Sequence, residues 1–414
     1  MEMKQNLGVK FLLGLGVACL SSCSFSEKET FPAWQEGEME IHHIYTGRGE
    51  SNFMIFPDGT SLLVDAGDFD PSDYPLMCEP LPDKSRRAGE WIARYVERVN
   101  PHRDRVDYLL VSHFHNDHTG DSSLPVPHTE NRNPDYARVG IAEAGEVLRF
   151  GKFFDRGYPD YQYPLPINDR DVDNYRAFLH WQASQFGLQQ EPFVVGKENQ
   201  ITLKYHPDRY ASRFSIRNLA ANGEVWKGTG GETIRYYDEN IANLDPQHQN
   251  ENTKSLALRI AYGSFRYYCG GDAVGSLLDS NGEKVNIEEK VGEACGTVDV
   301  SKANHHAYKD AMTEGFLRHI QAKQYVIPVW DHEHIQPDVI QRMVTMTADK
   351  SDPVVYVTHM PQARQEKYAS ESWMQSVSPV SGHVVIKVFD EGRKYSIYVL
   401  SAEDERCPVK AVYG

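Results

Sequence analysis

Between residues 111 and 120 the chain reads Val-Ser-His-Phe-His-Asn-Asp-His-Thr-Gly, which sets His113, His115, Asp117 and His118 within six positions. No other feature constrains the fold as much. Imidazole and carboxylate groups at that density repay their desolvation by gripping cations, not by packing. The cluster follows the apolar run Val106–Val111, read as a strand, so it stands at a strand end, where loops gather site residues. His113 and His115 can grip one ion, and Asp117 and His118 a second.

Other polar residues fall at matching places. Residues 38–45 alternate like a strand, and 46–50 form a glycine turn. The runs 53–56 and 62–64 pair about Pro57-Asp58-Gly59-Thr60 and end at Asp65. Residues 88–99 have helical apolar spacing and stop at Asn100-Pro101. In the second half, strands at 255–262 and 265–269 lead to Asp272, and one at 297–301 leads to His305 and His306. A further strand at 325–329 leads to His332 and His334, followed by a helix at 337–346. Strands at 354–357, 384–389 and 395–400 close the chain. Loops at one sheet edge can therefore bring Asp65, the histidine cluster, Asp272 and the later histidines together. Asp272 is the candidate carboxylate bridging two ions, or else a turn residue; Asp65 braces the site, or else caps the segment after it.

Residues 121–250 are less regular. A helix is expected at 172–186 and a strand at 201–205. The stretch reads as a large insertion, either shaping the substrate or purely structural.

The formal net charge of -16 over 414 residues argues against a sequence-blind nucleic-acid surface, so no stable nucleic-acid complex is expected. A phosphate-bearing substrate held by cations remains compatible with that charge. At the N-terminus, Lys4 and Lys10 precede an apolar run, Phe11–Leu20, too short to span a bilayer of about 20 residues. It runs into Leu20-Ser21-Ser22-Cys23, which resembles a bacterial lipobox. Residues 1–22 thus read as a lipoprotein signal, Cys23 as the lipidated residue, and 23–37 as a polar tether before a domain at 38–410. The expected location is exported and membrane-anchored through acyl chains. The later cysteines, Cys78, Cys269, Cys295 and Cys407, form no Cys-x-x-Cys motif and can be free or paired.

The segment Ser112–Gly120 resembles the His-x-His-x-Asp-His signature of the metallo-β-lactamase fold. Further segments resemble its branch that includes the nuclease-like domain of the competence protein ComEC. These are Thr46–Gly67, Asn252-Thr253-Lys254-Ser255-Leu256 with Gly271-Asp272, Asn304-His305-His306, and Glu333–Pro337. The resemblance implies an α/β, four-layer αββα sandwich with a dinuclear site at its edge. His113 and His115 would hold the first ion; Asp117 and His118 would hold the second, with Asp272 bridging and His305 completing the set. Asp117, Asp272 and Asp65 would be the catalytic carboxylates. His248, Asn252, His306 and His334 are further candidates for metal or substrate. The chain departs from the pattern at Gly49-Glu50, where the branch has Gly-Asp, and it offers no clear third histidine for the first ion.

The function expected is that of an exported hydrolase with two divalent cations, zinc first and manganese second. A metal-bound hydroxide would cleave a phosphodiester or another small molecule. The alternatives are lactam or lactone hydrolysis, and pure binding on the same scaffold.

Overall fold

Short strands buried on both faces account for most of the architecture. The computed structural model describes residues 30–69, 76–124, 135–237, 250–275, 277–278, 283–347 and 353–414. The strands of the first half are β1 (Met39–His43), β2 (Asn52–Ile55), β3 (Ser61–Val64), β4 (Arg105–Leu110), β5 (Arg149–Phe154), β6 (Gln189–Gln190), β7 (Phe214–Ala221), β8 (Glu224–Trp226) and β9 (Thr233–Arg235). They continue with β10 (Ala257–Tyr262), β11 (Phe265–Gly270), a small hairpin of β12 (Leu277–Leu278) and β13 (Lys284–Val285), and β14 (Val300–Lys302). The last are β15 (Gln324–Ile327), β16 (Val355–Val357), β17 (His383–Phe389), β18 (Lys394–Leu400) and β19 (Val409–Tyr413).

One sheet runs β19-β18-β17-β1-β2-β3-β4-β5-β6, the other β16-β15-β14-β11-β10-β7-β8-β9. Each combines an antiparallel part with a parallel one: β3 through β6 run parallel in the first, and β11, β14, β15 and β16 in the second. The strand period of two sorts side chains between layers. Phe53, Ile55 and Leu63 pack toward the helices α1 (Ala88–Val99), α3 (Gly140–Ala144) and α4 (Arg170–Phe186), while Met54, Leu62 and Val64 face the other sheet. In β11 the Tyr267 hydroxyl reaches His43 of the first sheet, whereas Tyr268 packs on Phe316 of α7 (Glu314–Ile320). With α6 (Ile287–Cys295) and α8 (Pro337–Met346) also packed outside the second sheet, this is the four-layer αββα sandwich expected from the sequence.

Helix signals act as the sequence implies. Trp91, Ile92, Tyr95 and Val96 bury one face of α1, and Asn100 ends it by folding its amide onto Arg103 and Arg105 carbonyls. Asp169 caps α4 by accepting from Asp171 N–H and Val172 N–H, and Gly187 closes it at φ 73°.

Two readings require correction. The stretch expected as an insertion does not lie apart from the sandwich. It supplies β5 and β6 to one sheet, where Phe153 and, from α4, Phe178 pack in the helix-side core, and β7, β8 and β9 to the other, where Leu219 and Val225 pack in the larger core. Residues 201–205 are not a strand. Side chains take up their backbone donors: Thr202 N–H donates to the Tyr108 hydroxyl, Lys204 N–H to Thr60 Oγ1, and Tyr205 N–H to Asp58 Oδ2. Cys78, Cys269, Cys295 and Cys407 are buried and unpaired. Among the described residues no helix is long and apolar enough to cross a membrane. Cys23 and the signal segment lie outside the described residues, as does His248.

Candidate metal centre

The centre begins where β4 stops. Val111 still bonds Phe154 across the parallel pair; the chain then leaves the sheet and winds into the single turn α2 (Asn116–Thr119). Two segments, the one before β2 and the one after β3, hold that turn through three backbone bonds. Glu50 N–H donates to Asp117 O at 2.8 Å, Ala66 N–H to His118 O at 2.9 Å, and Asp68 N–H to Asn116 O at 3.2 Å. The approach is close enough to require glycine. A Cβ on Gly67 would stand 1.9 Å from the Asp117 carbonyl oxygen, and one on Gly49 2.4 Å from it.

Asp65, at the end of β3, braces the cluster from below. It accepts from Ser112 N–H at 2.7 Å and from Ser112 Oγ at 2.6 Å, and its Oδ2 stands 2.8 Å from His118 Nδ1. Its backbone sits at φ 60°, a strained conformation for a residue with a side chain.

Asp272 follows β11 and occupies the middle. Its N–H donates to Ser255 Oγ, and its Oδ2 lies 3.1 Å from His118 Nε2, 3.2 Å from His306 Nε2 and 3.9 Å from His113 Nε2. Asp117 Oδ2 stands 2.9 Å from His306 Nε2 and 3.3 Å from His118 Nε2. Behind them, buried Lys302 pairs with Glu50 at 3.1 Å and lies 4.0 Å from Asp272 Oδ1. Glu50, His118, Asp272 and His306 each offer a ligand atom within 4.8 Å of the others. His113 and His115 meet at 3.2 Å between Nε2 and Nδ1, at the edge of this group.

Four buried carboxylates, Glu50, Asp65, Asp117 and Asp272, thus face one buried ammonium, Lys302. Unpaired buried charge is costly, so the set calls for further positive charge. The imidazoles supply it in the protein alone. Burial favours neutral rings, but Asp272 and Asp117 override it, holding His118 well above its usual range and raising His306 to about 9. Burial likewise favours a protonated Asp272, yet His306 and His118 keep it well below the carboxylate range. Divalent cations would take over that role from the ring protons. The donor set fits them: it is imidazole nitrogen and carboxylate oxygen without thiolate, and Asp272 Oδ1 is buried with no hydrogen bond among the described residues.

The structure brings together Asp65, His113, His115, Asp117, His118 and Asp272. It corrects the choice between the two adjacent histidines. His306, not His305, enters the cluster. His305, His306 and Ala307 all lie in the left-handed region, at φ 45°, 51° and 57°, and this turn sends the two rings apart. His306 Nδ1 is fixed by the Pro328 carbonyl at 2.9 Å. His305 is half-exposed, with Nδ1 on Asp310 at 2.7 Å and Nε2 3.2 Å from the Asn252 amide. His334 stacks on His306 at 4.5 Å between ring centroids and contacts Trp330, buried behind the cluster. Glu50 and Lys302 were not singled out as site residues in the sequence. The signals were present: Glu50 stands where the family pattern has aspartate, and Lys302 interrupts an otherwise small or apolar strand end.

Fold and site together define a class: a two-sheet αββα protein with a histidine–carboxylate cluster at one sheet edge. Residues 45–171 match the family model described as the Metallo-beta-lactamase superfamily, a span that includes Asp65 and the 113–118 cluster. No curated protein matches the chain. Similar solved structures include a mutant of the CmlA beta-hydroxylase, at 12% identity and TM-score 0.40, covering 80% of this chain and 53% of that one. Another is a new diphosphatase from the PhnP family, at 10% identity and TM-score 0.32, covering 78% of this chain and 95% of that one. The chain therefore spans about half the length of the hydroxylase chain.

Proposed function

We propose that this protein is a metal-dependent hydrolase acting on phosphodiesters. The observation that carries this reading is the convergence of His118, His306, Asp117 and Asp272 on one point, with His113 and His115 beside it. Two divalent cations bound there would acidify a water and neutralise charge on the attacked group. The chain's own residues set the stage for that step. Asp65 orients His118, Lys302 holds Glu50 and Asp272 in place, and Pro328 fixes the His306 ring. His115 at the edge of the cluster and His305 outside it are half-exposed, so a substrate approaches past imidazole and amide donors, which suit an anionic diester. The ComEC-like segments support the same substrate class.

The apolar run Phe11–Leu20 that leads into Cys23 supports an exported, lipid-anchored location, testable by incorporation of labelled palmitate into the wild type and not into Cys23→Ala. The activity is tested with bis-(p-nitrophenyl) phosphate, using protein stripped and reloaded with zinc or manganese, beside Asp272→Asn. Turnover that needs the cation and vanishes in the variant supports the reading. Cation binding without turnover rejects it and directs assays to lactams and lactones.

A further inference from the structure

Behind the Trp330 wall, a second set of ligating groups comes together. Cys78, His332 and His359 place one sulfur and two ring nitrogens within 4.8 Å of one another. They come from three separate parts of the chain: the segment before α1, the segment after β15, and the end of β16. The first two are stitched together by backbone bonds. Cys78 N–H donates to Trp330 O at 2.8 Å and His332 N–H to Leu76 O at 2.9 Å, around an isolated antiparallel bridge between Met77 and Asp331. Cys78 is buried, at 1% exposure, and the two imidazoles are half-buried, so the cluster is reached from solvent on their side. Tyr45 covers the other side. Its ring stacks on His359 at 5.3 Å with an 11° interplanar angle, and its buried hydroxyl faces the Cys78 thiol.

We propose that Cys78, His332 and His359 form a second, structural metal site that takes one zinc-type cation, separate from the centre at Asp272. One thiolate and two imidazoles are a borderline-soft donor set, which selects zinc over magnesium or calcium. With bonds of about 2.3 Å to sulfur and about 2.0 Å to nitrogen, the donors close in on the ion as it binds. That movement falls to the half-buried imidazoles, since Cys78 is anchored through its backbone. A water completes the fourth position. Binding forms one metal–sulfur and two metal–nitrogen bonds, and the thiol proton leaves to solvent. The ion clamps residues 76–78 and the end of β16 onto the 330–332 segment. Trp330 in that segment packs edge-on against the His306 ring, at 5.6 Å between centroids, so the clamp stiffens the wall against which the primary centre is built.

The two sites differ in a way spectroscopy reads directly, because the Asp272 centre contains no sulfur. The experiment titrates the metal-free full chain with cobalt(II) and follows the near-ultraviolet thiolate-to-cobalt charge-transfer band. The expected result is a band whose final amplitude corresponds to one cobalt–thiolate bond per chain, which survives in Asp272→Asn and is absent in Cys78→Ser. His332→Gln and His359→Gln, at half-buried positions, should keep the fold by circular dichroism and weaken the band's apparent affinity by about 10-fold or more. No band in the folded wild type overturns the proposal, as does a band that persists in Cys78→Ser. Undiminished affinity in both histidine variants overturns it too, and this holds even if Cys78→Ser fails to fold.

Discussion

Asp65 Oδ2 stands 2.8 Å from Nδ1 of His118, and so dictates which face that imidazole turns to the centre. With Nδ1 committed to the carboxylate, Nε2 is left pointing at Asp272, 3.1 Å away. Such an outer carboxylate fixes the tautomer and raises the basicity of a ligating histidine. Asp65→Asn keeps the shape and the Ser112 contacts but removes the charge. Its affinity for zinc, measured by competition with a chromophoric chelator, is expected to fall about 10- to 100-fold with the fold intact. Unchanged affinity would remove Asp65 from this role.

The two neighbouring histidines should separate cleanly. His306 lies between Asp117 and Asp272, while His305 leans on Asp310 at the surface. His306→Ala is expected to lose both cation stoichiometry and diester hydrolysis. His305→Ala should retain its cations, as read by atomic absorption, and change turnover less. The reverse ranking would contradict the geometry.

Gly67 makes a sharper test of backbone packing. An added Cβ would meet the Asp117 carbonyl oxygen at 1.9 Å, so α2 would have to shift. Gly67→Ala is expected to cost about 1–3 kcal/mol in urea unfolding and to weaken cation binding with it. At Gly231 an added Cβ meets nothing within 4 Å, and Gly231→Ala should stay within about 0.5 kcal/mol of the wild type.

Glu143 on α3 predicts a pH effect away from the metal centre. Burial, helped by the Asp68 charge, raises its carboxyl from an ordinary 4.5 to about 8, despite nearby Arg87 and Arg138. The unfolded chain therefore gives up this proton first as pH rises. The group's contribution to stability is complete below pH 4.5 and is lost progressively toward pH 8, at about 1.4 kcal/mol per unit as an upper bound. Glu143→Gln never ionises. Its melting temperature relative to the wild type should rise across this window and level off above it. A constant difference across the window would refute the assignment.

The sequence by itself determined the elements whose information is local. The helix at 88–99 is legible from its apolar period and its Asn100-Pro101 stop, and the helix at 337–346 from its leading proline; both appear as α1 and α8 at those residues. The 113–118 cluster announces cation chemistry because four ligating side chains within six positions have no packing use. Tertiary structure alone decided the rest. It placed β5 and β6 in one sheet and β7, β8 and β9 in the other, since pairing between β7 and β10 depends on residues some 40 positions apart, which no local period records. It chose His306 over His305, because a run of left-handed backbone angles sets where two adjacent rings point. It buried Glu50 and Lys302 against Asp272, a pairing of charges from distant segments. And it drew Cys78, His332 and His359 from three loops into one cluster, since only the packed sandwich fixes distances between residues far apart in the chain.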